Sequence, residues 1–157
     1  MFTLNPAFGH GMGSETLPPV TVGNHNATLA VYITPQIFDP NKEHQIALRF
    51  YETNTEAIIE HVTYLIEISK DNKQIFSNIF HDDLGNLYLK IQSTNSENIT
   101  IQGKQESPLD SWQKINDYTP LTLEGPIFTS GGLYKFHIEI LTIDSDENIL
   151  EKPITYD

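Results

Sequence analysis

The chain of 157 residues contains no cysteine. Disulfide cross-links, thiolate zinc sites and cysteine nucleophiles are therefore excluded. Basic residues are also scarce, because 9 lysine and arginine residues stand against 21 aspartate and glutamate residues and give a net charge of −12. Such a surface repels phosphate groups, so we expect no nucleic-acid partner. No run reaches the roughly 18 to 20 apolar residues of a membrane-spanning helix, so none is predicted.

The composition that remains is that of one folded domain. Hydrophobic residues make up 38% of the chain and aromatic residues 10%, which is enough for a core. The length corresponds to a single domain at roughly 150 residues per domain.

The first residues resemble the end of an export signal. Ala7 and Gly9 give the small-x-small pattern that precedes signal-peptidase cleavage, so residues 1–9 are interpreted as a truncated signal-peptide remnant and residues 10–26 as a tail. An ordinary disordered start is the alternative. Asn26 and Asn98 begin N-x-T glycosylation sequences, which weakly favour the same extracytoplasmic location, secreted or at the cell surface.

Apolar residues alternate with polar ones from Ala27 to the end of the chain, as in strands that have one face in the core and the other exposed to solvent. The pattern is strongest from Tyr134 to Ile140, and Asp71-Asn72 suits a tight hairpin turn. We therefore predict an all-β fold, an antiparallel immunoglobulin-like β-sandwich over residues 27–157. It would have eight or nine strands and one long irregular insertion at 92–118, with a helix possible near 109–115. Tyr134 follows Gly132-Leu133 as in an immunoglobulin-like strand entry, where the tyrosine hydroxyl bonds back to nearby backbone.

Four segments carry a resemblance to a known group of proteins. They are residues 11–19 (GMGSETLPP), 79–87 (IFHDDLGNL), 130–136 (SGGLYKF) and 140–145 (ILTIDS). In these the chain resembles uncharacterised exported β-sandwich proteins of ammonia-oxidising archaea, over nearly its whole length. The resemblance implies a location outside the cytoplasm and no particular activity.

A copper site is one hypothesis for chemistry. Cleavage after Gly9 would make His10 the first residue, whose amine and imidazole chelate copper, with Met12 as a thioether ligand. His25 is the nearest second imidazole in the sequence, and the other candidates are His44, His61, His81 and His137. The alternative is a flexible glycine-rich tail that binds metal only adventitiously.

A calcium site is the second hypothesis. Asp144, Asp146 and Asn148 alternate oxygen ligands like the start of a calcium loop, although the glycine and glutamate of an EF-hand are missing. The alternative is a turn whose side chains cap their own backbone, and the turn with Asp82 and Asp83 allows the same two interpretations.

No catalytic motif stands out. His61 and His137 are interpreted as surface histidines, and His81 lies beside an aspartate without a serine nucleophile. We therefore expect a non-catalytic module for surface structure, adhesion or ligand binding, with envelope proteins or an extracellular ligand as partners. Trp112 and Tyr118 in the long segment would form a partner-binding loop, or a lid with the tryptophan as its plug.

Overall fold

The computed structural model describes residues 3–4, 14–35, 39 and 41–157, and these ranges contain fourteen strands and no helix. The strands are β1 (Thr3–Leu4), β2 (Ser14–Thr16), β3 (Val20–Val22), β4 (His25–Thr34), β5 (His44–Glu52), β6 (Val62–Lys70), β7 (Lys73–Asp82), β8 (Asn86–Ser93), β9 (Thr100–Gln102), β10 (Lys104–Glu106), β11 (Ser111–Gln113), β12 (Leu121–Gly125), β13 (Tyr134–Thr142) and β14 (Ile149–Tyr156). Accordingly, no helix of the described ranges has the length and hydropathy to span a membrane.

The strands form two seven-stranded sheets. One has the order β1-β13-β6-β7-β11-β10 with β14 also on β13, and the other has the order β2-β4-β5-β8-β12-β9 with β3 also on β4. Alternate residues of the long strands are buried between the sheets, because side chains of a strand point to opposite faces. The all-β, β-sandwich prediction is confirmed.

Three details differ from the prediction. The fourteen strands exceed the expected eight or nine because six are only two or three residues long. The sheets are mixed, since β7 pairs with β11 and β8 with β12 in parallel. The prediction of a possible helix near 109–115 is wrong. Leu109 and Asp110 lie in the turn before β11 and have positive φ angles of 58° and 52°, which an α-helix does not contain.

The sheets also begin earlier in the chain than the alternation indicates. Within the segment expected to be a tail, β2 and β3 pair with β4. Within the segment expected to be a signal remnant, Thr3 and Leu4 pair with β13. The boundary at residue 27 therefore does not mark the start of strand pairing.

Aromatic side chains fill the middle of the sandwich. Phe50, Phe80 and Tyr64 are fully buried, and burying such a side chain contributes roughly 1.5 to 3 kcal/mol. The Tyr134 hydroxyl donates to the carbonyl of Ser130 at 2.6 Å, the backbone bond that the sequence predicts.

Candidate metal centre

Two histidines and two aspartates meet at one end of the β13-β6-β7 sheet. His61 directly precedes β6, and His81 is the last residue but one of β7. Asp83 lies in the β7–β8 turn and Asp146 in the β13–β14 turn. One ligand atom from each of the four lies within 4.8 Å of the others, and among the described residues this group alone has metal-ligating geometry. We call these four residues the His-Asp ring.

Nitrogen and oxygen alternate around the ring. His81 Nε2 lies 2.8 Å from Asp83 Oδ1 and 3.0 Å from Asp146 Oδ1. His61 Nδ1 lies 2.9 Å from Asp146 Oδ1 and 3.4 Å from Asp83 Oδ1. An ion with ligands at roughly 2.0 to 2.1 Å separates neighbouring ligand atoms by about 2.8 to 3.4 Å in octahedral or tetrahedral geometry. The ring therefore has the dimensions of a first-row metal site.

The β7–β8 turn carries Asp83 and is packed tightly against residue 59. A carboxylate oxygen of Asp82 accepts the backbone N–H groups of Leu84 and Asn86, both at 3.1 Å. Gly85 has φ +81°, and a Cβ there would lie 1.9 Å from the carbonyl oxygen of Ile59. Only glycine permits this approach, which brings Asp83 next to the segment that bears the first histidine.

The β13–β14 turn carries Asp146 and is fixed from both sides. Its Asp144 N–H donates to the carbonyl of Glu60 at 2.8 Å. The Asn148 side-chain amide donates to the carbonyl of Ile143 at 3.0 Å. The β13–β14 turn is thus bonded to residue 60, and the β7–β8 turn lies against residue 59. Asp83 and Asp146 therefore become neighbours although they are far apart in the sequence.

His61 has a strained backbone. Its φ is +55°, a left-handed conformation that costs roughly 1 to 2 kcal/mol for a residue other than glycine. Hydrogen bonds hold it there, because its N–H donates to the Asp83 carbonyl at 2.9 Å and its carbonyl accepts from the Thr142 hydroxyl at 2.9 Å. Strain of this kind concentrates at functional sites.

One side of the ring is buried in the protein and the other is exposed to solvent. The His81 side chain is 1% exposed, whereas that of Asp83 is 62% exposed. A groove of about 400 Å³ extends from these two residues past Lys104 and Lys114. Ions can therefore reach the ring from solvent.

Nearby carboxylates change the protonation of the accessible histidine. The hydrogen bond to Asp146 raises the pKa of His61 above its ordinary value, and the charge of Asp83 adds to the effect. The carboxylates of the ring therefore favour the protonated form of His61.

The structure separates the three residues of the expected calcium turn. Asp146 belongs to the ring, the Asp144 carboxylate accepts from His25, and the Asn148 amide is bonded to backbone. The structure thus does not bring the three side chains to one point, and the calcium site stays a prediction. The analogous turn divides in the same way, since Asp83 joins the ring and Asp82 caps its own backbone.

The expected copper ligands are not brought together within the described ranges. His10 and Met12 lie outside the described residues. His25 lies between two carboxylates, with Nδ1 bonded to Glu52 and Nε2 bonded to Asp144 at 2.8 Å. Neither nitrogen is free for copper in this arrangement.

The expected partner-binding loop is part of the sheet. Trp112 lies on β11 beside Phe80 and packs, partly buried, against the core. Tyr118 is 95% exposed, in a turn where Asn116 Oδ1 accepts two backbone N–H groups. The structure thus places the tryptophan in a strand and the tyrosine in an exposed turn, and the partner-binding loop stays a prediction.

The sequence leaves His61 and His81 as possible imidazoles for copper but does not group them with Asp83 and Asp146. The Asp71-Asn72 hairpin is only a partial signal. Pairing residues outward from that turn sets Thr63 opposite Phe80, and a register shift between Ile68 and Ser69 moves its partner to His81. The shifted register also brings His61 next to Asp83. No signal in the sequence connects this hairpin to Asp146.

Comparisons with known proteins leave the family open, since no family model matches the chain and no curated protein or solved structure is similar to it. The function of this protein must therefore be proposed from the arrangement of its own residues.

Proposed function

We propose that this protein is a non-catalytic, extracytoplasmic β-sandwich module that binds one divalent transition-metal ion at the His-Asp ring. The single observation that carries the proposal is the alternation of two imidazole nitrogens and two carboxylate oxygens at 2.8 to 3.4 Å. An ion at the centre would be attracted by both carboxylates and ligated by both histidines.

The donor set selects the class of metal. Imidazole suits zinc, copper, iron and nickel, whereas calcium takes six to eight oxygen ligands. Four protein ligands complete the tetrahedral shell typical of structural zinc sites. We therefore propose that the ring binds zinc or a similar divalent ion, which would link the β7–β8 and β13–β14 turns to the start of β6. Copper(II) should bind the same ring more tightly than zinc.

Four features support the finer assignments within this proposal. The bond from the Tyr134 hydroxyl to the Ser130 carbonyl favours an immunoglobulin-like sandwich. The acidic composition, the two glycosylation sequences and the resemblance to exported archaeal proteins favour a location outside the cytoplasm.

Zinc titration of chelator-treated protein by calorimetry tests the proposal. We expect one zinc ion per chain, and no heat from calcium or magnesium at the same concentration. His61→Asn should weaken binding at least tenfold, and asparagine tolerates the positive φ of this position.

His137→Asn is the matched control. His137 is also a histidine among carboxylates, Glu139 and Asp157, but no second histidine converges on it within the described residues. We expect zinc affinity within twofold of the parent protein. Absence of a zinc site in the parent, or equal losses in the two variants, would refute the proposal.

A further inference from the structure

We infer that Thr63 and Thr142 are positioning residues of the His-Asp ring, which hold the His81 proton on Nδ1 and aim the Nε2 lone pair at the metal position. Their purpose rests on the proposed metal site. The protonation pattern itself is a property of the metal-free protein, so it can be tested separately.

The two threonines and the histidine form a row across three strands. Thr142 of β13 pairs with Thr63 of β6, and Thr63 pairs with His81 of β7. A β-bulge between Ile140 and Thr142 shifts the register of β13, so that the threonine falls opposite Thr63. All three are buried, with relative exposures of 0%, 0% and 2%, and buried polar groups require hydrogen-bond partners.

All three contacts of this row can be hydrogen bonds at the same time in only one direction. The carbonyl of His61 can only accept, so the Thr142 hydroxyl donates its proton to it at 2.9 Å. The Thr142 oxygen must then accept from the Thr63 hydroxyl at 2.7 Å. With its only proton used, Thr63 accepts from His81 Nδ1–H, also at 2.7 Å.

This direction determines what His81 presents to the ring. With the proton on Nδ1, the neutral imidazole has its lone pair on Nε2. That lone pair faces carboxylate oxygens of Asp83 and Asp146 at 2.8 and 3.0 Å. The lone pair repels these two oxygens unless a cation stands between them, so the threonine row prepares the ring for a metal ion.

The row also connects the two histidines of the ring. It starts at the side chain of His81 and ends at the backbone carbonyl of His61, whose left-handed conformation it helps to hold. Partners that orient metal-bound histidines in this way typically change metal affinity by 10 to 100-fold when they are removed. Thr63 and Thr142 thus orient both nitrogen ligands without touching the metal.

The experiment reads the His81 protonation state by nitrogen-15 NMR of the metal-free protein, at a pH high enough to record the neutral imidazole. We expect the Nδ1–H form in the parent protein. Zinc affinity is measured in parallel for Thr63→Val, Thr63→Ser and Thr142→Val. Thr63→Val should bind zinc 10 to 100-fold more weakly, and Thr63→Ser, which keeps the hydroxyl, should stay within about threefold of the parent.

Thr142→Val separates positioning from packing. It leaves the Thr63 hydroxyl free to donate to Nδ1, so we expect the Nε2–H form of His81 to become populated and zinc affinity to fall at least fivefold. A parent protein in the Nε2–H form overturns the inference, and so does an unchanged His81 spectrum in this variant. A parent protein that shows the Nδ1–H form but binds no zinc supports the inference and refutes the proposed metal binding.

Discussion

Two histidines of this protein are each held by two carboxylates, yet the arrangements differ. Each nitrogen of His25 has its own partner, Glu52 on Nδ1 and Asp144 on Nε2. At His81 a single nitrogen faces both carboxylates of the His-Asp ring, and the other nitrogen is bonded to Thr63. Both clusters combine histidine with carboxylates, and they differ in whether the carboxylates converge on one nitrogen.

That difference decides which cation each cluster suits. A proton on each nitrogen satisfies both partners of His25, and the hydrogen bond with Glu52, followed by that with Asp144, raises its pKa. No lone pair remains there for a metal. In the ring the carboxylates converge on one nitrogen, together with His61, which leaves a point that a metal ion can occupy. Asp144 and Asp146 serve the two clusters from one turn.

The largest expected effect is on the free energy of unfolding, and it compares Gly85 near the His-Asp ring with Gly23 near His25. Gly85→Ala would place a Cβ 1.9 Å from the Ile59 carbonyl oxygen, whereas a Cβ at Gly23, in the turn before His25, meets nothing within 4 Å. We expect urea denaturation to show a loss of about 3 kcal/mol or more for Gly85→Ala. Gly23→Ala, with φ +57°, should lose about 1 kcal/mol. Similar losses in the two variants would contradict the close approach that positions Asp83.

The next effect separates the two aspartates of the β13–β14 turn. Zinc at 100 times its dissociation constant should stabilise the parent protein by about 2.7 kcal/mol. Asp146→Asn removes a ring ligand and should lose most of this gain, as measured by thermal unfolding with and without zinc. Asp144→Asn is the matched control, since its side chain bonds to His25. It should keep the zinc-dependent gain, and loss of the gain in both variants would argue for a general effect of the turn.

Much of the fold can be predicted from the sequence because its long strands alternate strictly. The burial of β13 follows that alternation from Tyr134 to Ile140. The short β2 strand could not be found in this way, because all of its residues are exposed and no apolar period marks it. Parallel pairing of β8 with β12 is likewise invisible, since alternation is the same for either direction.

The metal centre could be predicted only in parts. The acidic turns of Asp83 and Asp146 stand out as possible cation sites, but their partners are set by tertiary structure. His61 and Asp146 are 85 positions apart and meet through backbone bonds of the intervening turns. Thr63 and Thr142 are ordinary strand residues in the sequence, and only the register with its bulge gives them a role.

The smallest expected effect concerns pH and the His25 cluster in metal-free protein. Its raised pKa means that folding stabilises the protonated imidazole. This stabilisation is fully present below the unfolded pKa of about 6.5 and is lost as the pH rises through the higher folded pKa. His25→Gln should therefore destabilise the protein at pH 6 and have little effect at pH 9, as measured by urea denaturation with chelator present. Because the cluster is partly exposed, we expect a difference below about 1 kcal/mol.

Glu52→Gln should produce the same change, because it removes the first partner of His25. Part of the parent's pH dependence should survive in both variants, since the hydrogen bond with Asp146 also raises the pKa of His61. A metal-free His25→Gln protein with the parent's full pH dependence would show that this histidine holds no proton more tightly when folded. Zinc affinity in the same variant should be unchanged, because the ring and the His25 cluster share a turn but no ligand.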